Sequence, residues 1–304
     1  MQTTGTVTSA DQNRALALST IAFTACFAVW TIFSIIGVAI KSELGLSEFQ
    51  FGLLVATPIL TGSLTRLFLG VWTEKYGGRI VFSLQMLLAA LATWLLTFAE
   101  TYIMYLVAAL GIGLAGGSFI IGVAYVSRWY PMGKQGTALG IFGAGNVGAA
   151  VTKFVAPFVM VAYGWHGVAN VWAAGLALMG VAFFILAKDD PELVARRASG
   201  TRAPSLAEQF APLANLQVWR FSLYYFFVFG GFVALALWLP HYLIDVYGME
   251  VRAAGMSAAA FSLSASLFRA YGGHLSDRFG ARTVMYWTFG FSLLFLIMLS
   301  YTPT

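Results

Sequence analysis

Two arginines, Arg66 and Arg269, open the same short pattern at positions 203 residues apart. The first copy reads Arg66, Gly70, Glu74, Gly77, Arg79, and the second Arg269, Gly273, Asp277, Gly280, Arg282. Each copy begins inside an apolar run and ends in a short charged loop. Guanidinium groups are planar, permanently charged forks that pair bidentately with planar oxyanions. Two forks carried on related helices are suited to grip a small anion from both sides. In the other reading each fork snorkels or pairs with backbone carbonyls, since each lies one helical turn before its loop-proximal glycine.

The surrounding residues favour the first reading. All twelve acids lie in loops, termini or ends of apolar runs. Arg66, Lys153 and Arg269 lie within such runs, with no carboxylate at similar depth. A charge at mid-membrane costs at least about 2.5–3.5 kcal/mol, so the missing counter-charge is expected to come from solution. Gly140, Gly143, Gly145, Asn146 and Gly148 form a glycine-rich stretch, and small residues at every fourth position, Gly136, Gly140, Ala144, Gly148, Thr152 and Ala156, offer a smooth ridge for helix packing. An amide at that depth needs partners, and Asn146 can donate to an anion oxygen. Lys153, seven residues on, shares its face and reads as an anion contact, a proton-responsive group or a carbonyl-paired structural lysine. Tyr225 and Phe229, at i,i+4 spacing, read as aromatic walls around an anion or as packing residues. Glu74 and Asp277 either pair with Arg79, Arg278 or Arg282 or cap a helix N-terminus, as contacts that break when that side opens; simple orientation signals are the alternative. His166, His241 and His274 read as interfacial.

The elements that must hold these residues are membrane-spanning helices. The chain is 60% hydrophobic and 10% charged, with a mean hydropathy of +0.81, against about 25% charged residues in soluble domains. Nine apolar runs are long enough to cross a bilayer, over 15–40, 50–73, 80–99, 102–127, 136–162, 166–187, 218–244, 252–275 and 283–301. The first is too long for a signal-peptide core and reads as a retained helix. The polar stretch 188–217 divides residues 1–187, a six-helix half, from 218–304, the first three helices of a second half. Lys and Arg concentrate in the loops on one side, with only Lys41 and Arg252 in those on the other, which puts the N-terminus and the linker in the cytoplasm. The net charge of +5 is explained by this bias and does not indicate nucleic-acid binding. A repeat pairing span 8 with span 2 implies six spans per half, so about three helices are expected to be missing from this chain. Cys26 alone allows no internal disulfide and fits no metal motif.

The doubled loop pattern resembles that of the major facilitator superfamily, with Glu74 in place of the usual aspartate in the first copy. From Gly113 to Gly148 the chain is more specifically similar to the nitrate/nitrite porters. That stretch includes Gly116-Gly117-Ser118-Phe119, Trp129-Tyr130-Pro131, Gly136 to Gly140, and a glycine signature at Gly143–Gly148 that is one residue shorter than the family's. The resemblance implies an all-α membrane protein of the major facilitator fold, with two pseudo-symmetric halves and about nine of twelve helices present. It places the family's substrate arginines on Arg66 and Arg269, its signature asparagine on Asn146, its span-7 aromatics on Tyr225 and Phe229, and a span-4 phenylalanine on Phe119. Lys153 has no counterpart in the exchangers and looks more like the proton-coupled branch.

The expectation is a bacterial inner-membrane carrier of nitrate or nitrite, monomeric and without cofactor or metal, working by alternating access between its halves. Proton symport and nitrate/nitrite exchange both remain open. Symport needs a titrating group, for which Lys153 is the candidate. An organic anion such as formate or oxalate as substrate, and a non-transporting membrane sensor, are the alternatives. The sequence contains no nucleophile–base set, metal cluster or nucleotide loop, so an enzyme is not expected.

Overall fold

In a computed structural model, residues 7–301 are described. Among them the secondary structure is helical throughout. Eight helical runs are apolar and long enough to cross a membrane: Ser9–Leu44, Glu48–Tyr76, Gly78–Phe98, Tyr102–Ser127, Met132–Leu186, Leu216–Tyr247, Val251–Phe279 and Ala281–Met298. The fifth is two crossings joined at Gly164, whose backbone (φ 67, ψ 178) leaves the helical region. Spans 5 and 6 are therefore 132–163 and 165–186, and the nine crossings fall on the nine apolar runs. The protein is a multi-pass membrane protein.

Local sequence sets the ends of these helices. Ser47 and Gln50 form a reciprocal capping box at the start of span 2, which satisfies amides that have no intrahelical partner. Span 1 ends on Gly45 (φ 62) and span 7 on Gly248 (φ 62), both left-handed. Spans 2 and 8 end on Gly77 (φ 89, ψ 153) and Gly280 (φ 85, ψ 139). Only glycine reaches these backbone regions at low cost. Both pairs are offset by the same 203 positions as the arginines, so the internal repeat extends from side-chain pattern to backbone geometry.

Three spans carry a short change of helix type near mid-length. Span 4 contains a 3₁₀ turn at Gly113–Gly117, span 5 one at Ala144–Val147, and span 7 a π-helical turn at Phe226–Gly230. Such turns free or redirect backbone carbonyls and often mark functional positions. All three adjoin residues singled out in the sequence.

Spans 5 and 8 pack together along both of their halves. A Cβ on Gly140 would sit 2.9 Å from the Arg269 carbonyl and 3.0 Å from the Gly273 Cα. Toward the other end, a Cβ on Gly255 would sit 2.6 Å from the Lys153 carbonyl. Small residues are what allow such close backbone approach. The expected single ridge along span 5 is divided in two. Gly136, Gly140 and Gly143 face span 8, whereas Gly145 abuts Phe23 and Gly148 abuts the Thr24–Ala28 backbone of span 1. The cause is the intervening 3₁₀ turn, which rotates the helix face faster per residue than an α-helix does.

Candidate functional site

Arg66 projects from span 2 toward the 3₁₀ turn of span 4. The turn leaves carbonyls free to accept side-chain donors. Arg66 Nε donates to the Gly116 carbonyl (3.2 Å), and Gln85 Nε2 donates to that of Leu114 (2.8 Å). The guanidinium carbon lies 5.9 Å from the Trp30 ring and 5.4 Å from the Phe229 ring. Trp30 is itself fixed by donating from Nε1 to the Pro58 carbonyl (2.9 Å). Glycine at 116 admits its indole edge, where a Cβ would be 2.5 Å from Nε1.

Arg269 reaches the same ring from span 8. Its guanidinium carbon is 5.8 Å from Phe229 and 5.8 Å from Phe119. Gly143 permits this course, because a Cβ there would lie 3.2 Å from Arg269 Nε. Phe119, Tyr225 and Phe229 are stacked on one another, with centroid separations of 5.0–6.3 Å and interplanar angles of 16–24°. The π turn of span 7 follows Tyr225 directly and includes Phe229. Tyr225 is the titratable neighbour common to both guanidinium groups. Its buried hydroxyl has no hydrogen-bond partner of good geometry, and neither has the buried Oδ1 of Asn146. Asn146 lies in the 3₁₀ turn of span 5 and is 1% exposed. A cavity of about 610 Å³ opens beside this cluster, lined by Trp30, Ser63, Arg66, Tyr225 and Phe229 among others.

The arrangement therefore offers two fixed positive charges converging on one aromatic ring. No carboxylate acts on either guanidinium among the described residues. The Tyr225 side chain and the flat aromatic walls of Phe119 and Phe229 lie beside them. Such an arrangement is chemically able to hold a small planar anion away from water. Arg66, Arg269, Tyr225, Phe119 and Phe229 are brought together as the sequence suggested.

Other residues are placed differently. Lys153 is fully buried, and its Nζ donates to the Ala149 carbonyl of its own helix (3.2 Å). It lies ten residues, about 15 Å of helix, beyond Gly143, where Arg269 crosses. It is not among the groups acting on either arginine, so the reading of Lys153 as a second anion contact is not met by this geometry. Glu74 does not pair with Arg79. It pairs with Arg128 and, at 3.8 Å, with Arg196. The sharp turn at Gly77 carries Arg79 away, to donate to the Phe184 carbonyl (2.9 Å). Asp277 pairs with neither Arg278 nor Arg282. It accepts from the amides of Gly136 (3.1 Å) and Thr137 (2.6 Å) and from the Thr137 hydroxyl (2.6 Å). These amides lie in the second turn of the helix that starts at Met132, so Asp277 does not cap that helix; it ties span 8 to span 5 at the basic face. Arg278 covers the Phe279 ring, and Arg282 donates to the Tyr286 hydroxyl.

Sequence reasoning passed over Trp30, which looks like any apolar residue of a first span. It also passed over the Arg128 cluster, in which Asp190 (3.3 Å) and Glu192 (3.2 Å) of the linker join Glu74 around one guanidinium. The signal for that cluster was an arginine at a span end facing three acids in two other loops. Pairing across such distances is not readable from spacing.

Comparison with known proteins agrees with this architecture. The family model for the Major Facilitator Superfamily matches residues 18–304. A probable nitrate/nitrite antiporter, NarK1, of Thermus thermophilus is 45% identical over 296 residues, covering 93% of this chain and 66% of the relative. A nitrite extrusion protein of Bacillus subtilis is 31% identical over 293 residues, covering 96% and 72%. Among solved structures, an inward-facing bacterial homologue of the human lysosomal transporter Spinster superposes with a TM-score of 0.68. It has 20% identity, with 90% of this chain and 64% of that one covered. The chain thus spans about two-thirds of the length of the relatives it matches. With its family match, its fold and the names of its relatives in agreement, the chain belongs to the major facilitator superfamily, in its nitrate/nitrite porter family.

Proposed function

We propose that this protein carries nitrate or nitrite across the bacterial inner membrane by alternating access, with the anion held between Arg66 and Arg269. The single observation carrying this reading is the convergence of both guanidinium groups on the Phe229 ring without a carboxylate to neutralise them. Asn146 and Tyr225 supply uncharged donors, and Phe119 and Phe229 the flat walls. The names of the relatives support nitrate and nitrite as the anions.

In this reading residues 1–187 and 218–304 belong to two bodies joined by the linker 188–217. The face with the basic loops is cytoplasmic, following the positive-inside bias. Asp277 on the amides of Gly136 and Thr137 closes that face and releases when it opens. The anion lowers the cost of bringing two like charges together, so the empty carrier reorients more slowly than the loaded one. That behaviour suffices for exchange. Symport requires a proton-binding group within the membrane, and Lys153, buried without a carboxylate, is the residue for that role.

The deciding experiment is nitrate uptake into proteoliposomes by the native protein, with Arg66→Lys and Arg269→Lys alongside. Uptake abolished or reduced in both variants supports the site. Uptake unchanged in either variant refutes it.

A further inference from the structure

A second cluster of chemistry-bearing side chains lies at the face opposite the basic loops. His241, near the end of span 7, points Nε2 at Glu48 Oε2 (3.4 Å), at the start of span 2, and at Asp245 Oδ2 (3.1 Å), one turn further along span 7. The three ligand atoms lie within 4.8 Å of one another. The His241 side chain is 11% exposed and is held between the Phe51 ring (4.8 Å) and the Trp238 ring (5.9 Å). Its Nδ1 has no protein partner, so its polar contacts run through Nε2. The carboxylates are open to solution, with side-chain exposures of 70% for Glu48 and 48% for Asp245.

We propose that Glu48, His241 and Asp245 form a binding site for a divalent transition metal ion of the zinc type, which ties span 2 to span 7 at this face. Three features converge on that ligand. One imidazole nitrogen and two carboxylate oxygens are a donor set such ions accept. Ligands about 2.0–2.2 Å from a tetrahedral zinc ion are separated by roughly 3.3–3.6 Å, close to the two separations seen. Among the described residues, Lys41 pairs with the other oxygen of Glu48. Two carboxylates against one lysine leave a net negative charge that a dication reverses. The fourth coordination position would face solution. The site lies apart from the arginine pair and takes no part in holding the anion.

The test uses the purified full chain in detergent, titrated with Co²⁺ as a spectroscopic substitute for Zn²⁺. The expected result is a stoichiometric visible absorption of tetrahedral type, displaced by Zn²⁺ and weakened at least about tenfold in Glu48→Gln, His241→Gln and Asp245→Asn; loss of even an outer-shell partner costs that much. Glu48→Gln is the decisive variant, because its exposed side chain can change without disturbing the packing around His241. Zn²⁺ should also raise the unfolding temperature of the native protein, and not that of Glu48→Gln, because binding to the folded state alone stabilises it. Absence of the spectrum, or Co²⁺ binding that persists unchanged in Glu48→Gln and His241→Gln, overturns the proposal. None of these readouts depends on nitrate, so failure of the transport reading would leave the metal site standing, and the reverse also holds.

Discussion

At the residue scale, the arginine pair is defined by what holds it. Arg66 is anchored through Nε on the Gly116 carbonyl, with Tyr225 as its titratable neighbour beyond that anchor. A lysine there keeps the charge but loses both the anchor and the fork. Arg66→Lys should therefore weaken nitrate binding by about the worth of one charged hydrogen bond, 1.5–3 kcal/mol, or roughly tenfold to a hundredfold. Equilibrium binding to the purified protein would measure it. Trp30 offers a subtler check, since it touches the Arg66 guanidinium and stacks on Phe229 at 11° between planes. Removing the ring in Trp30→Leu should cost about 0.5–1 kcal/mol of cation–π orientation, read as a several-fold loss of anion affinity with Arg269 untouched.

At the element scale, span 5 is the part on which the others converge. Its glycines from Gly136 to Gly148 are individually explained by what a Cβ would strike, and they divide between span 8 and span 1. Gly148→Ala would put a methyl group 2.6 Å from the Ala28 amide nitrogen and still closer to the Thr24 carbonyl. Overpacking of this kind costs about 1–3 kcal/mol and should lower the unfolding temperature. In contrast, Gly133, with open space around its Cβ position, should accept alanine without measurable loss. The helix beginning at Met132 is also held from outside by Asp277. Asp277→Ala removes the acceptor of the Gly136 and Thr137 amides. Those two amides should then exchange hydrogen faster than in the native protein, while amides of span 3 stay unchanged.

At the scale of the whole molecule, the contacts between spans 1–6 and spans 7–9 fall at three depths. Asp277 on span 5 lies at the basic face, the arginines and stacked rings at mid-depth, and the His241 cluster at the opposite face. In the alternating access proposed above, the two end contacts would break in turn while the middle one holds the anion. Lys153 stands outside this middle layer, so the coupling role proposed for it is separable from anion binding. Lys153→Ala should leave nitrate affinity within about twofold, since no direct contact is lost. If transport is proton-coupled through this residue, uptake by the variant should lose its dependence on an imposed pH gradient. An unchanged dependence would exclude that role.

The number of crossings, their approximate placement, the repeat and the two arginines were legible along the chain, while the ends of the helices fell several residues outside the apolar runs, as at Ser9 in span 1. Each depends on patterns that a bilayer enforces locally: apolar length, charge excluded to loops, and glycine wherever the backbone must turn left-handed or approach closely. Tertiary structure decided what the spacing could not carry. Pro58 supplies a carbonyl to Trp30, the 3₁₀ turn of span 4 receives Arg66, and the turn in span 5 splits its ridge between two neighbours. Glu74 selects Arg128 over Arg79, five residues away, because the turn at Gly77 sends the nearer arginine elsewhere. Glu48 and His241, nearly two hundred residues apart, meet only once spans 2 and 7 pack. Local sequence fixes which groups must be hidden from lipid, and only the packed bundle fixes which of them hide together.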